Sequence, residues 1–211
     1  MSHGLMPNEV ADGARLGLAP LARGLHRVGI TANAVTVLGV IITMAGSALL
    51  ILERPLAALI VLLAGALSDT LDGQLAKAAG GGTRFGAFID STLDRVSDAA
   101  LACGAAALGA ARGDALLFWA ALVGLVASFL VSYVRAKAES MGTTATVGLM
   151  PREARLTILL FGVGLWGVFG LYVLFVAAVA GVAALSVITL LQRIAFVAGA
   201  LNNTNQANQA K

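Results

Sequence analysis

Asp69-Thr-Leu-Asp72-Gly73-Gln-Leu-Ala76-Lys77, followed after eight residues by Gly86-Ala-Phe-Ile-Asp90-Ser-Thr-Leu-Asp94, decides how this chain is read. As a pattern it is D-x2-D-G-x2-A-K-x8-G-x3-D-x3-D. The flanking sequence is apolar, and one Asp at the centre of a transmembrane helix costs about 2.5–3.5 kcal/mol. Four together are tolerable only near an interface, in a wet cavity, or around a cation that neutralises them. Spacings of i, i+3 and i, i+4 put Asp69 with Asp72, and Asp90 with Asp94, each pair on one helix face. Gly80-Gly81-Gly82-Thr83 between them must be a loop, so the two faces can meet in antiparallel neighbours. Oxygen ligands without His or Cys favour Mg²⁺ or Mn²⁺ over zinc or copper. Gly73 leaves room beside Asp72, either for a ligand or for close packing of a neighbouring helix.

The rest of the chain places this cluster in a membrane. Hydrophobic residues make up 59% and charged ones 12% of 211 residues, and mean hydropathy is +0.90. A soluble domain is nearer half apolar and a quarter charged. The expected fold class is an all-α integral membrane protein, one domain over residues 1–201. Cys103 is the only cysteine, so no intramolecular disulfide forms. Glu9, Asp12 and Arg15 precede any apolar run, which argues against a cleavable signal peptide.

Residues 8–28 mix Leu16, Leu18, Leu21 and Leu25 with Arg15, Arg23, His26 and Arg27, the pattern of an N-terminal interfacial amphipathic helix. Six transmembrane helices are expected over residues 30–199. Thr31-Ala-Asn33 offers helix-start chemistry to span one, and Pro55 to span two. Span two carries Asp69 and Asp72; span three, from Arg84, carries Asp90 and Asp94. Span four covers 115–134 and ends in Arg135-Ala-Lys137-Ala-Glu139. No charge occurs from Leu156 to Leu191, a run of about 54 Å as one helix against a hydrocarbon core of about 30 Å. It must fold back near 167–170, giving spans five and six. Residues 202–211 have no apolar face and are expected to form an irregular tail.

Six spans put both termini on one side. Of 14 Lys and Arg, only Arg54 and Arg112 fall on the opposite side, so the basic side, with the aspartates, is expected to be cytoplasmic. Arg135, Lys137, Arg152, Arg155 and Arg193 reach that side from spans four, five and six. Arg155 and Arg193 sit against apolar spans with no acidic excess nearby in sequence. Carboxylates that want divalent cations, beside guanidiniums that want phosphate, suggest phosphoryl transfer at the membrane surface. Asp98 continues the Asp90–Asp94 face one turn deeper and reads as a structural ion pair or hydrogen bond.

The Asp69–Asp94 pattern closely resembles the signature of the CDP-alcohol phosphotransferases, D-x2-D-G-x2-A-R-x8-9-G-x3-D-x3-D. Lys77 stands where that family usually has Arg, keeping the charge but not the planar fork. Thr31-Ala-Asn33-Ala-Val-Thr36 is similar to the family's T-P-N-x-x-T opening of span one, with Ala32 in place of Pro. Within the family, residues 80–98, 132–139, 152–156 and Gln192-Arg193 are most like actinobacterial phosphatidylinositol-phosphate synthases.

The resemblance implies that CDP-diacylglycerol gives its phosphatidyl group to an acceptor hydroxyl and releases CMP. It makes Asp69, Asp72, Asp90 and Asp94 ligands of Mg²⁺ or Mn²⁺, two ions in number, and Asp94 the general base. Gly73, Ala76 and Lys77, with Asn33, would line the cytidine diphosphate site. Arg135, Lys137, Arg152, Arg155 and Arg193 would supply the grip on the acceptor phosphate. Inositol 1-phosphate is the expected acceptor, because free inositol needs no such cluster. Glycerol 3-phosphate would use a similar one, so the charge pattern leaves both open. The lipid bilayer is the setting, a homodimer is implied, and no nucleic-acid partner is. The rival class is a cation transporter, whose acids belong near the bilayer midplane; here they gather toward helix ends.

Overall fold

A computed structural model describes the backbone of residues 8–209 and the side chains of residues 18–202. Seven α-helices and no strand occur among the described residues: α1 (Asn8–Arg27), α2 (Ala32–Ile51), α3 (Pro55–Ala78), α4 (Arg84–Arg112), α5 (Ala115–Ser140), α6 (Arg152–Phe169) and α7 (Tyr172–Gln209). Local chemistry sets most of the boundaries. Thr31 and Thr83 accept the backbone N–H groups of Ala34 and Gly86, and Asp114 accepts that of Leu117. Pro55 opens α3, and Gly113 and Gly170 end α4 and α6 in the left-handed conformation.

Four helices are long and apolar enough to cross a membrane: α2, α3, α5 and residues Tyr172–Asn202 of α7. α4 and α6 fall short because they carry the charges, Asp90, Asp94, Arg95 and Asp98 on one and Arg152, Glu153 and Arg155 on the other. The polar stretch expected to be an irregular tail is helical as far as Gln209, continuing α7. Asn202, Asn203, Thr204, Asn205 and Asn208 are weak helix formers, but an established helix extends at no nucleation cost. The side chains of 8–17, including Leu16 and Arg15 on the expected amphipathic face, lie outside the described residues.

Contacts between helices close a ring in the spatial order α2–α3–α6–α7–α5–α4 and back to α2, with α1 outside against α3. Glycines let its seams close. A Cβ on Gly104 would stand 2.9 Å from the Ser47 side chain on α2, and one on Gly167 would stand 2.8 Å from the backbone of Leu56 on α3. The ring corrects one expectation. α3 and α4 do not pack against each other; α2 touches both, and the two acidic faces look at one another across the ring's interior. A five-residue connection of small residues permits direct pairing without requiring it, and α2 supplies the larger apolar surface to both helices.

Away from the acids, the ring is filled by Leu50, Leu62, Leu108, Leu117, Val163, Trp166 and Phe175. At that end Arg112 donates to both carboxylate oxygens of Glu53, at 3.0 and 2.6 Å, and lies 4.2 Å from the Tyr172 ring centre. The Tyr172 hydroxyl donates to Asp114 at 3.0 Å.

Candidate active site

Asp69 and Asp72 leave α3 one turn apart, and Asp90 comes from the second turn of α4. One carboxylate oxygen from each lies within 4.8 Å of the others. Asp72 is buried, and the Thr36 hydroxyl on α2 donates to it at 2.6 Å. A bond of this length fixes the carboxylate's rotamer and satisfies one of its oxygens. Thr36 thus belongs to the site; the sequence offered it only as the last letter of the span-one motif.

Three ionised carboxylates at this spacing repel one another unless a cation stands among them. Oxygens sharing one small divalent ion sit within about 4.2 Å of each other, twice a metal–oxygen distance of about 2.1 Å. The observed trio is at that spacing to within a modest side-chain rotation, and it is all oxygen. The residues present therefore fit Mg²⁺ or Mn²⁺.

Asp94, one turn beyond Asp90, stands at the edge of the trio. It lies 3.0 Å from Nη1 of Arg152, and the same nitrogen donates to Asp69 at 3.2 Å. Nε of Arg152 approaches Asp98 at 3.4 Å, and Nη2 of Arg155 donates to Asp98 at 2.9 Å. Arg152 thus reaches Asp69 on the neighbouring α3, and both arginines of α6 reach across the ring to acids of α4, although α4 and α6 make no direct backbone approach. Arg155, which the sequence left without an acidic partner, is buried against Asp98. The partner was missed because 57 residues separate them in sequence and the ring order brings them together. Thr36, Asp69, Asp72, Asp94, Asp98 and Arg152 line one cleft of roughly 530 Å³, partly open to solvent.

The remaining candidates sit around this cleft. A Cβ on Gly73 would meet nothing within 4 Å, so the space beside Asp72 is open and the helix-packing reading of this glycine falls. Ala76 and Lys77 follow on the next turn of α3, Lys77 exposed. Asn33, in the first turn of α2, lies beside Gly86 at the start of α4. Arg135 pairs with Glu139 on its own helix at 2.9 Å, and Lys137 is exposed near the end of α5. Arg193 is buried and spends Nε on the Val147 carbonyl and Nη1 on that of Val131, both at 2.9 Å. Of the five basic candidates, Arg152 and Arg155 are the two in contact with the acids.

Comparison with known proteins converges on one family. The sequence model described as CDP-alcohol phosphatidyltransferase matches residues 29–201. A phosphatidylinositol phosphate synthase of Mycobacterium bovis (strain BCG / Pasteur 1173P2) is 42% identical over 148 residues, 69% of this chain and 68% of that protein. An archaetidylinositol phosphate synthase of Pyrococcus horikoshii is 36% identical over 155 residues, 73% of this chain and 80% of that one. Among solved structures, Mycobacterium tuberculosis phosphatidylinositol phosphate synthase with CDP-DAG bound superposes with a TM-score of 0.80 at 38% identity, covering 85% of this chain and 92% of that one. The same enzyme in complex with manganese and citrate gives 0.79 at 38% identity, covering 85% and 88%. The matched residues run from the turn before α2 into α7 and include every acid of the cleft, so this chain belongs to the CDP-alcohol phosphatidyltransferase family.

Proposed function

We propose that this protein transfers the phosphatidyl group of CDP-diacylglycerol to the hydroxyl of inositol 1-phosphate, giving phosphatidylinositol phosphate and CMP. One observation carries the reading: the Asp69, Asp72 and Asp90 oxygens converge within 4.8 Å, with the guanidinium of Arg152 on Asp69 and that of Arg155 on the adjoining Asp98. The named relatives support the acceptor. They differ in the lipid half of their names, phosphatidyl against archaetidyl, and share inositol phosphate.

In this reaction Asp69, Asp72 and Asp90, with Asp94 at their edge, would hold the divalent ion. Bound there, Mg²⁺ or Mn²⁺ would polarise the diphosphate and neutralise charge at the reacting phosphorus. Thr36 fixes the Asp72 carboxylate through its 2.6 Å hydrogen bond. Gly73 and Ala76 leave a floor for the cytidine diphosphate, flanked by Lys77 and Asn33. Arg152 and Arg155 meet the acceptor phosphate, with Arg135, Lys137 and Arg193 at the same end of the ring. The acceptor hydroxyl gives its proton to an Asp94 oxygen and its oxygen bonds to the lipid-bearing phosphorus. The bond from that phosphorus to the CMP oxygen breaks, and CMP leaves. The arginines bring the acceptor to the reacting centre, converting a two-body encounter into a positioned one.

The proposal includes six membrane crossings in the cell membrane, α4 and α6 among them. Asp94 and Asp98 of α4 and Arg152 and Arg155 of α6 line the ring's interior, where intramembrane charges are tolerated, and the basic excess at the acidic end supports a cytoplasmic site. It also includes a second ion and a homodimer, both carried over from the resemblance.

An acceptor panel tests the reaction: purified protein with CDP-diacylglycerol and, separately, inositol 1-phosphate, free inositol, glycerol 3-phosphate and serine. CMP release with inositol 1-phosphate at least about tenfold above the others is expected, since sites built to bind a polar group reject analogues lacking it. Preference for glycerol 3-phosphate would move the enzyme to the sister reaction, and release with none would end the proposal.

A further inference from the structure

We infer that Thr189 and Gln192 of α7, together with Gly148 in the loop they hold, are positioning residues that fix the first turn of α6 and so aim Arg152 and Arg155. The inference rests on the acceptor-site reading above, which gives those arginines a substrate.

The connection from 141 to 151 is the longest between helices among the described residues, and it contains neither helix nor strand. Its first residues are tied to the end of α5: the Met141, Gly142 and Thr143 N–H groups donate to Ala138 and Glu139 carbonyls. Its second half is tied to α7. The Leu149 N–H donates to Oε1 of Gln192 at 3.2 Å, the Met150 N–H donates to Oγ1 of Thr189 at 3.0 Å, and Arg193 donates to the Val147 carbonyl. Positions 189, 192 and 193 are i, i+3 and i+4, one face of a helix.

Thr189 is suited to the task. It is fully buried, and its hydroxyl proton is committed to the Leu185 carbonyl at 2.8 Å, so the oxygen presents a lone pair to Met150. Gly148 is required twice over. Its φ of +133° lies in the region that favours glycine, and a Cβ there would stand 2.3 Å from Cγ2 of Thr189. The loop therefore lies on Thr189 in one register.

The loop runs directly into α6. Pro151 precedes Arg152, and no side chain caps this helix. With no local cap, the strap on Met150, two residues upstream of Arg152, sets where the helix begins. The contacts of Arg152 with Asp69, Asp94 and Asp98 span 3.0 to 3.4 Å and tolerate displacements of only a few tenths of an ångström. Arg193 is left out of the test because it is also a candidate for the acceptor phosphate.

The test uses the full-length chain in lipid nanodiscs, with Thr189→Val, Thr189→Ser and Gln192→Ala. Val matches the shape of Thr and lacks the acceptor. Amide hydrogen exchange at Met150 should quicken about tenfold or more in Thr189→Val, while the helices keep their protection. The KM for inositol 1-phosphate should rise about tenfold with the KM for CDP-diacylglycerol within about twofold, and Ser should restore both readouts. Gln192→Ala, on an exposed side chain, should move the same quantities less, and it keeps the test open if Thr189→Val does not fold. Unchanged Met150 exchange, or equal shifts in the two KM values, overturns the inference. If the wild type does not use inositol 1-phosphate, the functional reading falls instead. The strap is then decided by Met150 exchange and by the KM of whichever acceptor in the panel turns over.

Discussion

Asp72 and Asp94 show how two carboxylates lining one cleft receive different settings. Asp72 is buried and takes a 2.6 Å hydrogen bond from Thr36, which suits a fixed ligand. Asp94 meets the guanidinium of Arg152 at 3.0 Å and lines the open cleft, which suits a group that must meet a substrate hydroxyl. In the proposed reaction Asp94→Asn keeps the shape and loses the base. Turnover should fall by about 10²–10⁴-fold, with an unchanged melting profile in detergent. CMP release measures it, and near-normal release removes Asp94 from the mechanism. The acids themselves were legible in the sequence because their spacing is local to two helices. The partners of those acids were not, since Thr36, Arg152 and Arg155 arrive from other helices.

Asp98 is where α4 and α6 are joined across the ring. It receives Arg155 at 2.9 Å and Arg152 at 3.4 Å, and Arg155 is only 5% exposed. Removing one partner of a buried pair leaves an uncompensated charge, which costs about 3–5 kcal/mol. Asp98→Ala should therefore lower the thermal midpoint by several degrees and raise the acceptor KM more than that for CDP-diacylglycerol. A midpoint and KM values equal to those of the wild type would show that the tie is idle. The helix starts at Thr31 and Pro55 were readable one at a time, and Thr83 and Asp114 cap α4 and α5 by the same kind of local chemistry. Which helices become neighbours was not readable. That depends on seams such as Gly104 on Ser47 and Gly167 on Leu56, long-range fits that no local pattern encodes.

The whole molecule is a ring with Asp69, Asp72, Asp90, Asp94 and Asp98 beside Arg152 and Arg155 at one end and an ionic staple at the other. The staple is Glu53 with Arg112, outside the helices' apolar stretches. The hydrogen bond from Arg112 holds the Glu53 carboxyl below its usual value of 4.5. A carboxyl with a lowered folded pKa contributes stability above its unfolded pKa and loses that contribution as pH falls through the folded value. The difference in thermal midpoint between wild type and Glu53→Gln should therefore be constant above about pH 5.5 and shrink steadily in more acidic buffer. A difference that grows on acidification would contradict the pairing. At the opposite end, the cleft gathers Asp69 and Asp72 from α3, Asp94 and Asp98 from α4 and Arg152 from α6, with Arg155 paired to Asp98 behind it. The most direct measurement of that convergence is a Mn²⁺ titration of the purified protein followed by electron paramagnetic resonance. Saturable binding should weaken by about 10²-fold or more in both Asp72→Asn and Asp90→Asn, and CMP release should disappear with it on chelation. Undiminished Mn²⁺ binding in those variants, or CMP release that persists in EDTA, would contradict a cation held between the two helices.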